Sequence, residues 1–332
     1  MSKSKKISII FAIITVVLIA VIIVSQIMMN STSTAYTNTT YAMGTYVDQT
    51  IYGTDAETAA ENGAQAVQKL ESLISWKLED SDIYKINANA GKDWTEVSTT
   101  TENILNQAIE VSKASSGAFD FTILPLTSLW NFDNSPTTPP SDDDIQKSKQ
   151  YVDYSALRYD PDNSSYSFKS AGYAIDLSGI GNGAACDVAI AEYRALDIDR
   201  ALVSIGGSIG VYSTNDHVWT IGIEEDGEVL GKVKITSGYC STSGSANKSF
   251  EYDGKTYHHI LDPETGYPTE TDLSSVTVFC DNGAISDALA TACFNLGYDY
   301  SLDVLSQFDA KAVFVYKDKT VKVTDGLDYI AA

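Results

Sequence analysis

The chain has 332 residues, of which 44 % are apolar and 20 % charged, an ordinary globular composition with room for a sizeable core. Its net charge of −22 argues against a nucleic-acid or anionic-lipid surface partner, because such a surface repels phosphate. A phosphate-bearing ligand is admitted only where a metal ion or an array of backbone N–H groups offsets the charge.

Lys3, Lys5 and Lys6 precede an apolar run from Ile7 to about Met29. The run is long enough to span a bilayer and longer than a secretory h-region of roughly 7–15 residues. Residues 1–30 therefore read as a membrane anchor, with a signal sequence cut near Ser33-Thr34-Ala35 as the alternative. With the lysines held in the cytoplasm, everything after Asn30 lies outside the cell. No cysteine follows the run directly, which excludes a lipid-modified N-terminal cysteine. Residues 31–40, rich in Ser, Thr and Asn, read as a tether, and 41–332 as the folded domain.

Within that domain "TYVDQTIYG" reads as a strand. A helix follows over 55–75, with Asp55 as N-cap and Ala66, Val67, Leu70, Leu73 and Ile74 on one face. A second helix is predicted from about Thr101 to Ser115, with Ile104, Leu105, Ala108 and Ile109 inward. Asn134–Asp144, "NSPTTPPSDDD", reads as an exposed loop. Beyond it strands alternate with Gly-rich turns, interrupted by helices predicted at Gly183–Leu196 and Ser286–Leu296. The late strands follow one another without helical crossovers, which predicts an α+β fold with largely antiparallel sheet. Cys186, Cys240, Cys280 and Cys293 lack metal-ligand spacing and read as buried small side chains, although a disulfide is permitted outside the cell.

Four segments combine glycines with acids or imidazoles. In "SSGAFDFTILPLTSLWNF", Gly117 ends a helix and Phe119-Asp120 is predicted to start a strand; a helix cap followed by core aromatics explains it equally well. In "AIDLSGIGNGAACDVAIA", Gly179, Gly181 and Gly183 lie between a predicted strand carrying Asp176 and a helix containing Asp187. Glycines there let a backbone approach a ligand, and helix N-terminal N–H groups favour phosphate, but the spacing is not a dinucleotide fingerprint. In "SDALATACFNLG", Asp287 and Thr291 share one helix face, and two such oxygens with a backbone carbonyl suit Mg²⁺. An acid placed to suit the helix dipole is the bland alternative. Finally, "YHHILDPETGYP" places two of the chain's three histidines side by side. Neighbours on a strand point to opposite faces, so only one of His258 and His259 enters a given site.

Taken in order, "MGTYV", "SDIYKIN", "SGAFDFTILPLTSLWNF", "DLSGIGNGAACD", "IGGSIG", "TSG", "HHILDPETGYP" and "SDALATACFNLG" resemble the FAD:protein FMN transferases, the ApbE family, over nearly the whole exported part. The resemblance implies a T-fold-related α+β catalytic domain. It also implies an exported enzyme that splits FAD, releases AMP and joins FMN by a phosphoester bond to a Thr or Ser of another protein. Mg²⁺ is implied, held by the side chains of Asp287 and Thr291 and the backbone of Gly179 and Ala290. FAD contacts are implied at Met43, Trp76, Ala118, Phe119, Asp120, Asp176, Asn182 and the backbone around Leu261. His259 falls in the catalytic role and His258 in a structural one. The family usually carries Lys where this chain has Asn182, which removes a point charge near the expected phosphates and predicts weaker FAD binding or slower transfer. An exported or membrane redox flavoprotein with a Ser/Thr-Gly-Ala-Thr site is the implied acceptor, and this chain carries no convincing copy of that signature. FAD pyrophosphatase activity and non-catalytic flavin binding are the alternatives, the second kept open by Asn182.

Overall fold

The computed structural model describes residues 34–246 and 248–332, so the predicted anchor lies outside the described residues. The main folded unit is Tyr36–Ala332. β1 (Tyr36–Ala42) begins inside the segment predicted as tether, because its Thr and Tyr residues pair in alternation with β2 (Thr45–Gly53). Met43 and Gly44 alone join the two strands, both with positive φ (56° and 72°), a two-residue turn that leaves Met43 in a left-handed conformation.

α1 (Ala56–Ile74) buries Val67, Leu70 and Ile74 as predicted, with Ala59, Ala60 and Gly63 on the same face and Ala66 and Leu73 only partly covered. Asp55 precedes it but makes no side-chain cap. α2 (Asp82–Ala88), β3 (Thr95–Glu96) and α3 (Thr99–Ala114) follow, with Ser81 and Ser98 capping the two helices. The strand expected at Phe119-Asp120 does not form: Asp120 draws the chain into a turn, and α4 (Leu124–Trp130) starts soon after. The end of the predicted loop at 134–144 is helical, because Ser141 caps α5 (Asp142–Lys149) and three acids suit its first turn.

After β4 (Leu157–Asp160) and β5 (Ser165–Phe168), no strand carries Asp176; only Ala174 makes an isolated bridge, to Ile123. α6 (Ser178–Arg194) begins well before the predicted start and takes all three glycines into its opening turns. β6 (Ile198–Ile205), β7 (Ser208–Ser213), β8 (Trp219–Glu225), β9 (Glu228–Ile235) and β10 (Gly238–Gly244) follow; β7 pairs antiparallel with β6 and β10, while β8 and β9 pair in a separate sheet. The hairpin of β11 (Ser249–Tyr252) and β12 (Lys255–His258) leads to the loop before β13 (Leu273–Cys280). α7 (Gly283–Gln307) also starts earlier than predicted and runs on across a break at Gly297 (φ 74°). β14 (Lys311–Tyr316), β15 (Val321–Val323) and β16 (Tyr329–Ala331) end the fold.

Eight strands make the central sheet in the order β1-β2-β6-β7-β10-β13-β14-β15, every neighbour antiparallel. Alternation decides its two faces. On β14, Ala312 and Phe314 enter the core shared with α1, α6 and α7, while Val313 and Val315 turn to the core beneath the β16-β9-β8 sheet. A third cluster, Leu126, Trp130, Ile145 and Leu261, sits under the β11–β12 hairpin. All four cysteines are free, and all but the partly covered Cys280 are buried.

Candidate active site

The site is built around the crossing of α6 and α7. A Cβ on Gly183 would stand 1.9 Å from the Gly283 carbonyl oxygen, so the two backbones touch and only glycine fits. The contacts run antiparallel: Gly183 meets Asp287, while Gly179, one turn earlier on α6, meets Thr291, one turn later on α7. Two carboxylates stitch the crossing in opposite directions. Asp187 accepts the N–H groups of Gly283 and Ala284, both at 2.8 Å, capping α7. Asp287 accepts the N–H of Gly183 at 3.0 Å, and also that of Asn182.

Burial pushes the Asp287 carboxyl up to about 6 against the pull of those two N–H groups. No ion pair among the described residues reaches it. Thr291 Oγ1 lies 3.6 Å from where a Cβ on Gly179 would be and 3.2 Å from the Ser243 hydroxyl. A carboxylate short of counter-charge, a hydroxyl one turn along the same face and a glycine backbone opposite make a hard-oxygen donor set that fits Mg²⁺. Among the described residues no group of three or more His, Cys, Asp or Glu forms an all-protein metal cage.

Other expected site residues gather on the glycine face of α6. A Cβ on Gly181 would stand 3.0 Å from Met43 Cε and 3.5 Å from Ile74 Cδ1, so the β1–β2 turn and the end of α1 meet there. Trp76 follows Ile74, with the Lys77 ammonium 5.0 Å above its ring. The Phe119 ring approaches within 3.2 Å of the same notional Cβ on Gly179. The Asn182 side chain rests on the turn between β6 and β7, its Nδ2 2.7 Å from a notional Cβ on Gly206. Asp176 holds the start of α6, accepting the Ser178 N–H at 2.9 Å and the Thr127 hydroxyl at 2.9 Å.

Asp120 and Ala290 are both buried. The Asp120 carboxylate is buried and committed to the N–H and hydroxyl of Thr122 and the N–H of Tyr154. Desolvation pushes its carboxyl up to about 6. The Ala290 side chain is fully buried in the core.

His258, at the end of β12, is buried edge-on to Phe294, and its Nε2 faces the Thr269 carbonyl oxygen at 3.0 Å. A carbonyl only accepts, so Nε2 carries a proton; burial lowers the ring's pKa against the opposing pull of that carbonyl. His259 lies just beyond, half-buried, followed by the loop that Trp130 Nε1 pins through the Gly266 carbonyl at 2.9 Å. The residue that sequence reasoning passed over is Asn295, whose amide reaches both the Ala118 and Leu261 carbonyls. An amide in the apolar segment "ACFNLG" was the only signal of it.

The model of the ApbE family matches residues 43–314. The chain belongs to the ApbE family. It is 30 % identical over 293 residues to an FAD:protein FMN transferase of Treponema pallidum, covering 82 % of this chain and 81 % of that one. A Klebsiella pneumoniae protein of the same name is 29 % identical over 276 residues, covering 82 % and 86 %. The crystal structure of the ApbE protein from Thermotoga maritima superposes with a TM-score of 0.77 at 28 % identity, spanning 88 % of this chain and 97 % of that one. The α+β fold is thus that of ApbE structures, and the chain is a transferase of this family.

Proposed function

We propose that this ApbE-family chain is an exported, Mg²⁺-dependent FAD:protein FMN transferase, tethered by residues 7–29 and acting on a Thr or Ser of an exported redox flavoprotein. The observation that carries this reading is the α6–α7 crossing, where Asp287 and Thr291 of one helix face the glycine backbone of the other. On a protein of net charge −22, FAD needs such a place.

The acceptor hydroxyl oxygen attacks the FMN phosphorus, the bond from that phosphorus to the AMP oxygen breaks, and AMP leaves. His259 takes the hydroxyl proton as general base. Asp287, Thr291 and the Gly179 backbone would hold Mg²⁺, which when bound neutralises charge on the phosphate oxygens. Met43 meets the glycine face at Gly181 and, with Trp76 just past the end of α1, would receive the flavin nucleotide, while Asp176 fixes the first turn of α6.

The test uses the full chain in mild detergent with FAD, Mg²⁺ and a peptide bearing the Ser/Thr-Gly-Ala-Thr signature. Peptide mass and AMP release are followed, with His259→Ala and Asp287→Ala alongside. The expected outcome is one FMN mass on the peptide, with rates in both variants down by at least about 100-fold. AMP without peptide modification would make the protein a pyrophosphatase towards this acceptor. FAD binding with no AMP would leave a flavin-binding protein.

A further inference from the structure

Asn295 lies on α7 one turn beyond Thr291 and two beyond Asp287, on the stripe that carries the candidate metal ligands. Its Nδ2 donates to the Ala118 carbonyl at 2.8 Å and to the Leu261 carbonyl at 3.1 Å. Two carbonyls can only accept, so the amide orientation is settled and Oδ1 faces Thr269, whose hydroxyl donates to it at 2.5 Å. One side chain thus joins three segments distant in sequence.

Thr269 continues the network to both sides of His259. Its carbonyl accepts from His258 Nε2 at 3.0 Å, and its N–H donates to the Ile260 carbonyl at 3.0 Å. The residues immediately before and after His259 are therefore both held by Thr269, and the next residue, Leu261, is held by Asn295 directly.

We propose that Asn295 is a positioning residue for His259, setting the separation between the general base and the metal-binding stripe of α7 through Thr269. The inference rests on the transferase reading for its catalytic consequence, although not for its geometry. Asn295 acts through His259: it fixes the backbone that aims the imidazole, and small displacements of a catalytic group cost large factors in rate.

Asn295→Asp tests this, since it keeps the shape but sets a carboxylate oxygen against the Ala118 and Leu261 carbonyls. In the full chain, turnover of FAD is expected to fall about 10- to 100-fold, with KM for FAD within about threefold of wild type. Thr269→Val should do the same, and Thr269→Ser should retain activity. In a His259→Ala background Asn295→Asp should add no further loss. The chain has only three histidines, so NMR of ¹³C-labelled imidazoles gives a readout independent of turnover. The His258 and His259 signals should move in Asn295→Asp while His217, edge-on to Trp219, stays put. A folded variant with an unmoved His259 signal, or an equal loss with and without His259, overturns the proposal. Should Asn295→Asp fail to fold, Thr269→Val carries the same readouts. If wild type releases no AMP, the transferase reading falls while the NMR result still decides the role of Asn295.

Discussion

Asp287 has the most exacting environment of the candidate site residues. Its carboxyl, ordinarily near 3.8, is pushed up to about 6 by burial, so the folded chain holds that proton more tightly than the unfolded one. The metal-free fold therefore loses stability as pH rises from about 4 to about 6 and carries the full penalty above that, at most about 3 kcal/mol. Asp287→Asn is expected to melt higher than wild type at neutral pH without metal, the gap closing below about pH 4. The same variant should no longer be stabilised by Mg²⁺. Thermal scans across pH, with chelator and with Mg²⁺, check both; identical pH profiles for variant and wild type would sink the argument. The residue scale is also where the sequence was least legible. Asp287 and Thr291 were found through their spacing, whereas the partners of Asn295 lie at Ala118 and Leu261, and no local pattern announces a hydrogen bond to a distant carbonyl. Asp120 is a further case: its buried bonds to Thr122 and Tyr154 were not legible in the sequence.

At the scale of elements, α6 and α7 were both predicted too short, and the cause is shared. Glycine disfavours an isolated helix, so Gly179 and Gly181 read as loop and the helix as starting only at Gly183, yet close helix contact repays that intrinsic cost. The glycines are not equivalent. Gly183→Ala would drive a methyl group into the Gly283 backbone, which cannot yield, and a loss of about 3 kcal/mol is expected. Gly181→Ala meets Met43 Cε, the free end of a flexible chain, so stability should stay within about 1 kcal/mol of wild type while KM for FAD rises. Urea titrations of the two variants, with FAD kinetics for the second, separate the cases; equal losses would contradict the geometry. Strands were easier to read, because alternation on β2 and the short continuous apolar run of β14 both speak of burial.

For the whole molecule, the antiparallel sheet and α+β class were legible because strand succeeds strand with short turns. The second core, under the β16-β9-β8 sheet, was not, since β16 comes from the far end of the chain. A net charge of −22 repels itself throughout this fold. Raising ionic strength with a monovalent salt is therefore expected to raise the melting temperature and to lower KM for FAD, both checked in one salt series; a KM that climbs with salt would mean that local positive potential, not metal, attracts the nucleotide. The α6–α7 joint has a longer-term consequence. With no side chain at its point of contact it has no slack to take up, so a substitution there is paid in the whole fold before it is felt in chemistry. New acceptors or nucleotides are more accessible to change at the rim, in the Met43 turn and the loop after His259, where backbone and side chain can vary while the joint stays shut.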